Sequence, residues 1–177
     1  MSGGGRGLTV SLPPRLQAGT ASRCASLCYS PVVLTRIDHI GIVVPSWEEG
    51  RRMLLDQFGF LINEARTRMP EGNYYLPGNS RIYFVSIGDG ETDVEVLVPL
   101  DDKSGIGRFL VRRGPGLHHI CYASNAIDED VKLLSGRGLE RILPGSGDIN
   151  PDSAPFFHPR SALGILTEVV RERRPRS

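Results

Sequence analysis

A histidine-bearing segment of alternating character occurs twice in this chain, and that repetition limits the fold more than any other feature. Arg36-Ile37-Asp38-His39-Ile40-Gly41-Ile42-Val43-Val44 and Gly114-Pro115-Gly116-Leu117-His118-His119-Ile120-Cys121-Tyr122 both set a histidine before an apolar residue, a small residue and further alternation, the pattern of a strand. After each, a polar residue, Ser46 or Asn125, opens a helix that ends near a glycine followed by an apolar residue, Gly59-Phe60 or Gly138-Leu139. His39 precedes Gly59 by 20 positions and His119 precedes Gly138 by 19, so the copies keep step through a strand and a helix. Each copy closes on a strand with one carboxylate among apolar neighbours: Val94-Glu95-Val96-Leu97-Val98 and Ile165-Leu166-Thr167-Glu168-Val169-Val170. We read this as an internal duplication.

The first unit reads βαβββ. Its strand over 35–45 stops at Pro45, and the helix from Ser46 carries Glu48 and Glu49 in its first turn, with Met53, Leu54, Leu55 and Phe58 as its apolar stripe. Strands follow over 61–66 and 82–87, and Gly88-Asp89-Gly90 turns the latter into the Glu95 strand as a hairpin. A linker over 101–116 holds a helix with Ser104 near its start and Arg112 and Arg113 near its end. The second unit repeats the order: a helix over 127–136, a strand over 139–143, a Gly/Pro/Asp loop over 144–155, a strand at Phe156-Phe157-His158-Pro159 and the Glu168 strand. The expected fold class is α+β, with paired βαβββ modules over about 35–100 and 115–172 in a single domain over 33–172.

The ends read differently. Residues 1–32 contain no acid, and with Arg6, Arg15 and Arg23 among many serines they read as a disordered leader or a targeting segment; Pro13-Pro14 interrupts any amphipathic helix there. Residues 173–177 read as an unstructured charged tail.

Two histidines and two glutamates thus fall at matching places of two similar units. Neutral imidazoles and ionised carboxylates suit a divalent cation with oxygen and nitrogen ligands. Buried carboxylates without a partner are costly, so a cation offers a reason for Glu95 and Glu168 to stand among apolar residues. For this to hold, the first and last strands of each unit must lie side by side with their inward faces shared. His118 competes with His119, but strand alternation sends only one of them inward, and His119 is the one in register with His39; His118 corresponds to Asp38. His158 is expected at a rim.

Other classes are disfavoured. With 21 basic and 20 acidic side chains and a formal charge of +1, no global field recruits nucleic acid or an anionic membrane. No run approaches the roughly 18 apolar residues of a membrane span. Cys24, Cys28 and Cys121 are too few and scattered for a disulfide framework, which points to a reducing, cytoplasmic setting; a leader of transit type would instead place the chain in the mitochondrial matrix.

These motifs resemble the vicinal oxygen chelate superfamily, and within it the methylmalonyl-CoA epimerases. The closer likeness rests on the stretch from Val94 to Leu100, on Ser104 with Phe109-Leu110, on Gly116-Leu117-His118-His119-Ile120, on Phe157-His158-Pro159 and on the stretch from Gly164 to Glu168, and it spans about residues 36–170. The resemblance implies a divalent metal ion (Co²⁺, Mn²⁺, Mg²⁺, Ni²⁺ or Zn²⁺) on His39, Glu95, His119 and Glu168, with glutamate at a place where some members have glutamine. It implies an acyl-CoA thioester as partner, a role in propionyl-CoA metabolism, and homodimers. The implied reaction interconverts (2R)- and (2S)-methylmalonyl-CoA by α-proton abstraction through a metal-stabilised enediolate. Glu168 is then the catalytic proton-transfer group, with Glu95, a water or Tyr83 serving the opposite face. Some members carry an acidic residue on the third strand of the first unit; Arg81-Ile82-Tyr83-Phe84-Val85 has none. The alternatives are a glyoxalase-like isomerase or lyase or an extradiol-type dioxygenase of the same fold, and a metal-free ligand-binding module. Thiol dependence, a redox-active iron, and purified protein without metal would distinguish them in turn.

Overall fold

The computed structural model of the chain describes residues 34–143 and 154–173. The leader, with Cys24 and Cys28, and nearly all of the 144–155 loop lie outside the described residues. Strand β1 (Leu34–Val43) leads to Ser46, whose hydroxyl accepts the Glu49 N–H and caps α1 (Trp47–Arg51). From Arg52 to Gln57 the helix widens to π-type, and its i to i+5 bonding, Phe58 N–H to the Met53 carbonyl at 3.1 Å, changes the phase of the side chains. The expected stripe is displaced for that reason: Gly50 and Leu54 are buried, while Met53 and Phe58 stay exposed.

The strand expected over 61–66 is only β2 (Leu61–Ile62), because the chain then turns and buries Asn63 against Asp93. An additional short strand, β3 (Asn73–Tyr75), pairs antiparallel with β4 (Ser80–Ser86), and β4 pairs antiparallel with β5 (Asp93–Pro99) across the expected hairpin. The linker helix forms as α2 (Gly105–Arg113) with Ser104 as its cap, followed by β6 (Gly116–Ser124) and α3 (Ile127–Gly136). Asn125 does not cap α3: its N-cap position is Ala126, whose N–H the Ser124 hydroxyl accepts while donating to Asp130. The second unit closes with β7 (Arg141–Ile142), β8 (Phe156–Phe157) and β9 (Leu166–Arg171).

The central strand order is β5-β1-β6-β9. β1 runs parallel to β5 and β6 parallel to β9, while β1 and β6 meet antiparallel at the seam between modules. This is the side-by-side arrangement of first and last strands that the ligand pattern requires. The outer face of the first module is packed by α1, with Leu54, Tyr83, Val85 and Val96 at the core and the Trp47 ring stacked 4.0 Å from Tyr83. The second core holds Val131, Phe157 and Val169, and Phe157 and Val169 are fully enclosed. Of the tail expected over 173–177, Arg173 turns inward to the Asp38 carboxylate, and 174–177 lie outside the described residues.

Phe157 is the largest fully buried side chain of that second core, and a hole there cannot be refilled by the short flanking strands. Phe157→Ala is therefore expected to lower stability by about 3–5 kcal/mol. Urea unfolding of the metal-free variant would measure it.

Candidate metal centre

The duplication places each ligand candidate by the same rule. On the antiparallel seam His39 faces Cys121 and Gly41 faces His119, so each histidine lies opposite the small residue that follows the other by two positions. On the parallel pairs Glu95 stands beside Gly41 and Glu168 beside Cys121. The four side chains from β1, β5, β6 and β9 therefore meet around a pseudo-twofold axis. The Nε2 atoms of His39 and His119 are 3.1 Å apart. Glu168 Oε2 lies 3.2 Å from the first and 3.3 Å from the second, and Glu95 Oε2 lies 3.6 Å and 3.3 Å from them.

These separations suit a cation. Bonds of about 2.0–2.2 Å to nitrogen and oxygen set neighbouring ligand atoms of a tetrahedral or octahedral shell about 3.0–3.5 Å apart. Two imidazoles and two carboxylates form a donor set acceptable to Zn²⁺, Co²⁺, Ni²⁺, Mn²⁺ or Mg²⁺. Gly41 is the local condition for it: a Cβ built there would lie 2.2 Å from the His119 ring.

Charge within the quartet is strongly coupled. Burial disfavours the His39 imidazolium, but the Glu95 charge and hydrogen bonds to Asp38, Cys121 and Glu168 outweigh it and push its pKa up to about 12. Burial likewise opposes charge on His119, yet Glu168 and Glu95 raise it to about 9. For Glu168 burial acts upward, and the two histidines overcome it, bringing the carboxyl down to about 2. In the absence of a cation, protons on the imidazoles balance the carboxylates.

A second cluster, Asp38, His39 and Cys121, also brings ligand atoms close together. It is a poorer cation site. Burial pushes the Cys121 thiol up to about 12, so it stays protonated, and Asp38 is already held by arginines: Arg173 Nη2 at 2.8 Å, and Arg36 and Arg66 at 3.3 Å.

Above the quartet opens a cavity of about 520 Å³, walled by Ile82, Leu97 and Ile106 on the first-module side and by Phe156 and Leu166 on the other. Three residues depart from their expected places. Tyr83, a candidate for the opposite face, points to the helix side of the sheet and stacks on Trp47, out of reach of the cavity. His118 does not turn away from the site: it lines the cavity, with its Nδ1 3.0 Å from His119 Nδ1. Arg108, not anticipated, lines the cavity from α2, whereas Arg112 and Arg113 are exposed at that helix's end. His158 lines the rim and caps the 3₁₀ turn Pro159–Ser161, its Nδ1 accepting the Arg160 N–H.

A family model for the Glyoxalase/Bleomycin resistance protein/Dioxygenase superfamily matches residues 38–151, and the chain belongs to this superfamily. Its curated relatives include a mitochondrial methylmalonyl-CoA epimerase of Dictyostelium discoideum, 28% identical over 166 residues that cover 92% of this chain and 93% of the relative. The mitochondrial methylmalonyl-CoA epimerase of Bos taurus is 30% identical over 170 residues, covering 90% and 91%. Among solved structures, a methylmalonyl-CoA epimerase in complex with methylmalonyl-CoA and ammonium matches with a TM-score of 0.64 at 27% identity, covering 81% of this chain and 99% of its own length. The α+β architecture with two fused modules is the vicinal oxygen chelate fold. Among the described residues no helix is long and apolar enough to cross a membrane.

Two outcomes follow from this geometry. Gly41→Ala should displace the His119 ring and weaken divalent-cation binding at least tenfold, an effect on the scale of losing a well-placed ligand contact (about 1.4 kcal/mol per factor of ten), measured by chelator competition. The second concerns protons. The carboxylates raise both imidazoles above the ordinary 6.5, so protons held on the quartet at pH 7 must leave before both Nε2 lone pairs can meet a cation. Loading at pH 7 should release protons, and affinity should rise as pH increases from 6 toward 9. Calorimetry in buffers of different ionisation enthalpy would read the release.

Proposed function

We propose that the chain is a metal-dependent epimerase acting on a 2-methylmalonyl-type acyl-CoA thioester. The observation that carries this reading is the convergence of His39, Glu95, His119 and Glu168 beneath a largely apolar cavity, in a chain whose relatives and structural neighbours are methylmalonyl-CoA epimerases. His39, His119, Glu95 and Glu168 would hold the cation. A bound divalent cation supplies Lewis acidity, which lowers the pKa of a carbon acid whose carbonyl and carboxylate oxygens it meets.

Every other part belongs to the protein. Glu168 takes the α-proton: the C–H electron pair moves into the developing carbon–carbon double bond and negative charge collects on the thioester oxygen. Glu95 would take up a proton from solvent and pass it to the opposite face, while Glu168 gives its proton back to solvent, so the enolate is quenched and both carboxylates return to their starting state. Since Tyr83 is turned away and the first-module wall is Ile82, Leu97 and Ile106, Glu95 is the other carboxylate that lines the cavity among the described residues. That apolar wall excludes water from the carbanion-like carbon and so protects the proton inventory of the site. The acyl group enters the cavity, and its size falls within the range usual for small-molecule sites.

In deuterated water with Co²⁺ or Mg²⁺, the protein should incorporate deuterium at the α-carbon of methylmalonyl-CoA and interconvert its epimers. Glu168→Gln should reduce that exchange at least a hundredfold, the usual scale for a lost general base. Full exchange in that variant removes Glu168 from the chemistry. No exchange on any malonyl-type thioester, together with turnover of a hemithioacetal, would replace the epimerase reading by a glyoxalase-like one.

A further inference from the structure

Each candidate histidine is preceded by a residue that strand alternation should turn away, and neither turns away. On the β1–β6 seam, Ile37 and His39 pair with the consecutive residues Tyr122 and Cys121, so Asp38 is an extra residue in β1. Likewise Gly41 and Ile42 pair with His119 and Leu117, so His118 is an extra residue in β6. These are β-bulges at matching places of the two modules, and a bulge re-aims side chains that a regular ladder would alternate. Each brings the extra residue alongside the histidine that follows. Asp38 Oδ1 lies 2.9 Å from His39 Nδ1, and His118 Nδ1 lies 3.0 Å from His119 Nδ1.

We propose that Asp38 and His118 are a matched pair of positioning residues, each accepting the Nδ1–H of the next histidine and so holding its Nε2 lone pair toward Glu95 and Glu168. The inference rests on the metal-binding part of the proposed function and is independent of its substrate. A histidine ring has two nitrogens, and fixing the proton on one directs the lone pair of the other. Both Nε2 atoms face the carboxylates, so both Nδ1 atoms must carry protons when a cation is bound, and each has a bulged acceptor within hydrogen-bond distance.

The two acceptors are anchored differently. Asp38 is fully buried and receives Arg173 Nε and Nη2 at 3.0 and 2.8 Å, Arg36 Nη2 at 3.3 Å, and the Arg66 guanidinium at 3.3 Å. Arg173 and Arg36 hold Oδ2, while Oδ1, with Arg66 Nη2 3.3 Å away, is the oxygen that meets His39. Arg173 comes from just beyond β9, so the last described residue of the chain braces a ligand on its first strand. On the other side the His118 ring is set edge-on against Phe109, with centroids 5.0 Å apart, which ties it to α2.

Chelator competition with Zn²⁺ on the full chain tests this, together with long-range ¹H–¹⁵N spectra of the zinc-loaded protein to read the histidine tautomers. The expected result is Nδ1–H on His39 and His119, and a loss of zinc affinity of about 10–100-fold in Asp38→Asn and His118→Phe. His118→Asn, which keeps an acceptor, should bind zinc within a few-fold of the native chain. Arg173→Gln, at a partly exposed position, should fold normally and lose several-fold, so the inference stays testable if Asp38→Asn does not fold. A wild-type chain that binds no zinc, His39 or His119 bound through Nδ1, or zinc affinity within twofold of wild type in folded His118→Phe and Arg173→Gln would each overturn it. Failure of the substrate assignment alone would leave all of these readouts unchanged.

Discussion

The structure depends on one electrostatic constraint: two carboxylates converge on one spot at the floor of a cavity walled largely by apolar side chains, where they cannot stay uncompensated. Like charges a few ångströms apart repel by on the order of a few kcal/mol even at an effective dielectric of about 20, and burial adds a desolvation cost for each. Positive charge must sit between Glu95 and Glu168, either as protons on His39 and His119 or as a cation in their place. The two options compete for the same lone pairs. In the proposed reading, protons and a cation would compete for this centre, which ties its cation affinity to pH.

The rest of the fold can be read as the means of meeting that constraint. Parallel pairing of first and last strands sets each glutamate beside the residue two past a histidine, and the antiparallel seam then brings the two halves into register. Gly41 makes room for the His119 ring. Beneath the floor lies a separate layer of charge, in which Asp38 and Asp93 are met by Arg36, Arg66 and Arg173, and the Arg66 guanidinium also lies 3.6 Å over the Phe84 ring. Those arginines neutralise the deeper carboxylates without reaching the quartet's own. Burial pushes the Asp38 carboxyl upward, but His39, Arg173 and Arg66 hold it well below the usual carboxylate range. A permanently ionised acceptor under His39 therefore comes with the fold.

Much of this was legible in the sequence because duplication writes the same signal twice. Period-two alternation located β1, β4, β5, β6 and β9, and Ser104 with the apolar positions after it located α2. The quartet followed from corresponding places, not from any one residue. What escaped was everything that breaks a period. A bulge adds one residue to a ladder with no change in composition, so alternation sent His118 outward and gave Asp38 no role, whereas both lie against the histidine beside them. The π-turn over 52–57 shifted a helical stripe in the same way. Tyr83 was misplaced for a different reason: both faces of β4 carry aromatic residues, and only packing tells that Phe84 meets His39 while Tyr83 meets Trp47. Arg173 could not be found at all, because a charged residue near a chain's end gives no sign that it has a buried partner.

The pseudo-twofold axis bears on the proposed chemistry as well. Epimerisation treats the two faces of one planar carbon alike, removing a proton from either and returning it to either. Glu95 and Glu168 are equivalent by the duplication, each beside the residue two past a histidine, and they enter the quartet from opposite modules. A planar carbon held over the β1–β6 seam would present one face to each. On that reading the two bases arise from the duplication itself, and an acid on β4, where Ile82 stands, is not required. The bulged residues then break the symmetry that the glutamates keep: an anion stands behind His39 and an imidazole behind His119, so the two halves differ in how strongly each histidine donates to the cation. In the proposed reading the asymmetry lies in the ligands, while the proton-transfer groups stay matched across the two faces of one carbon.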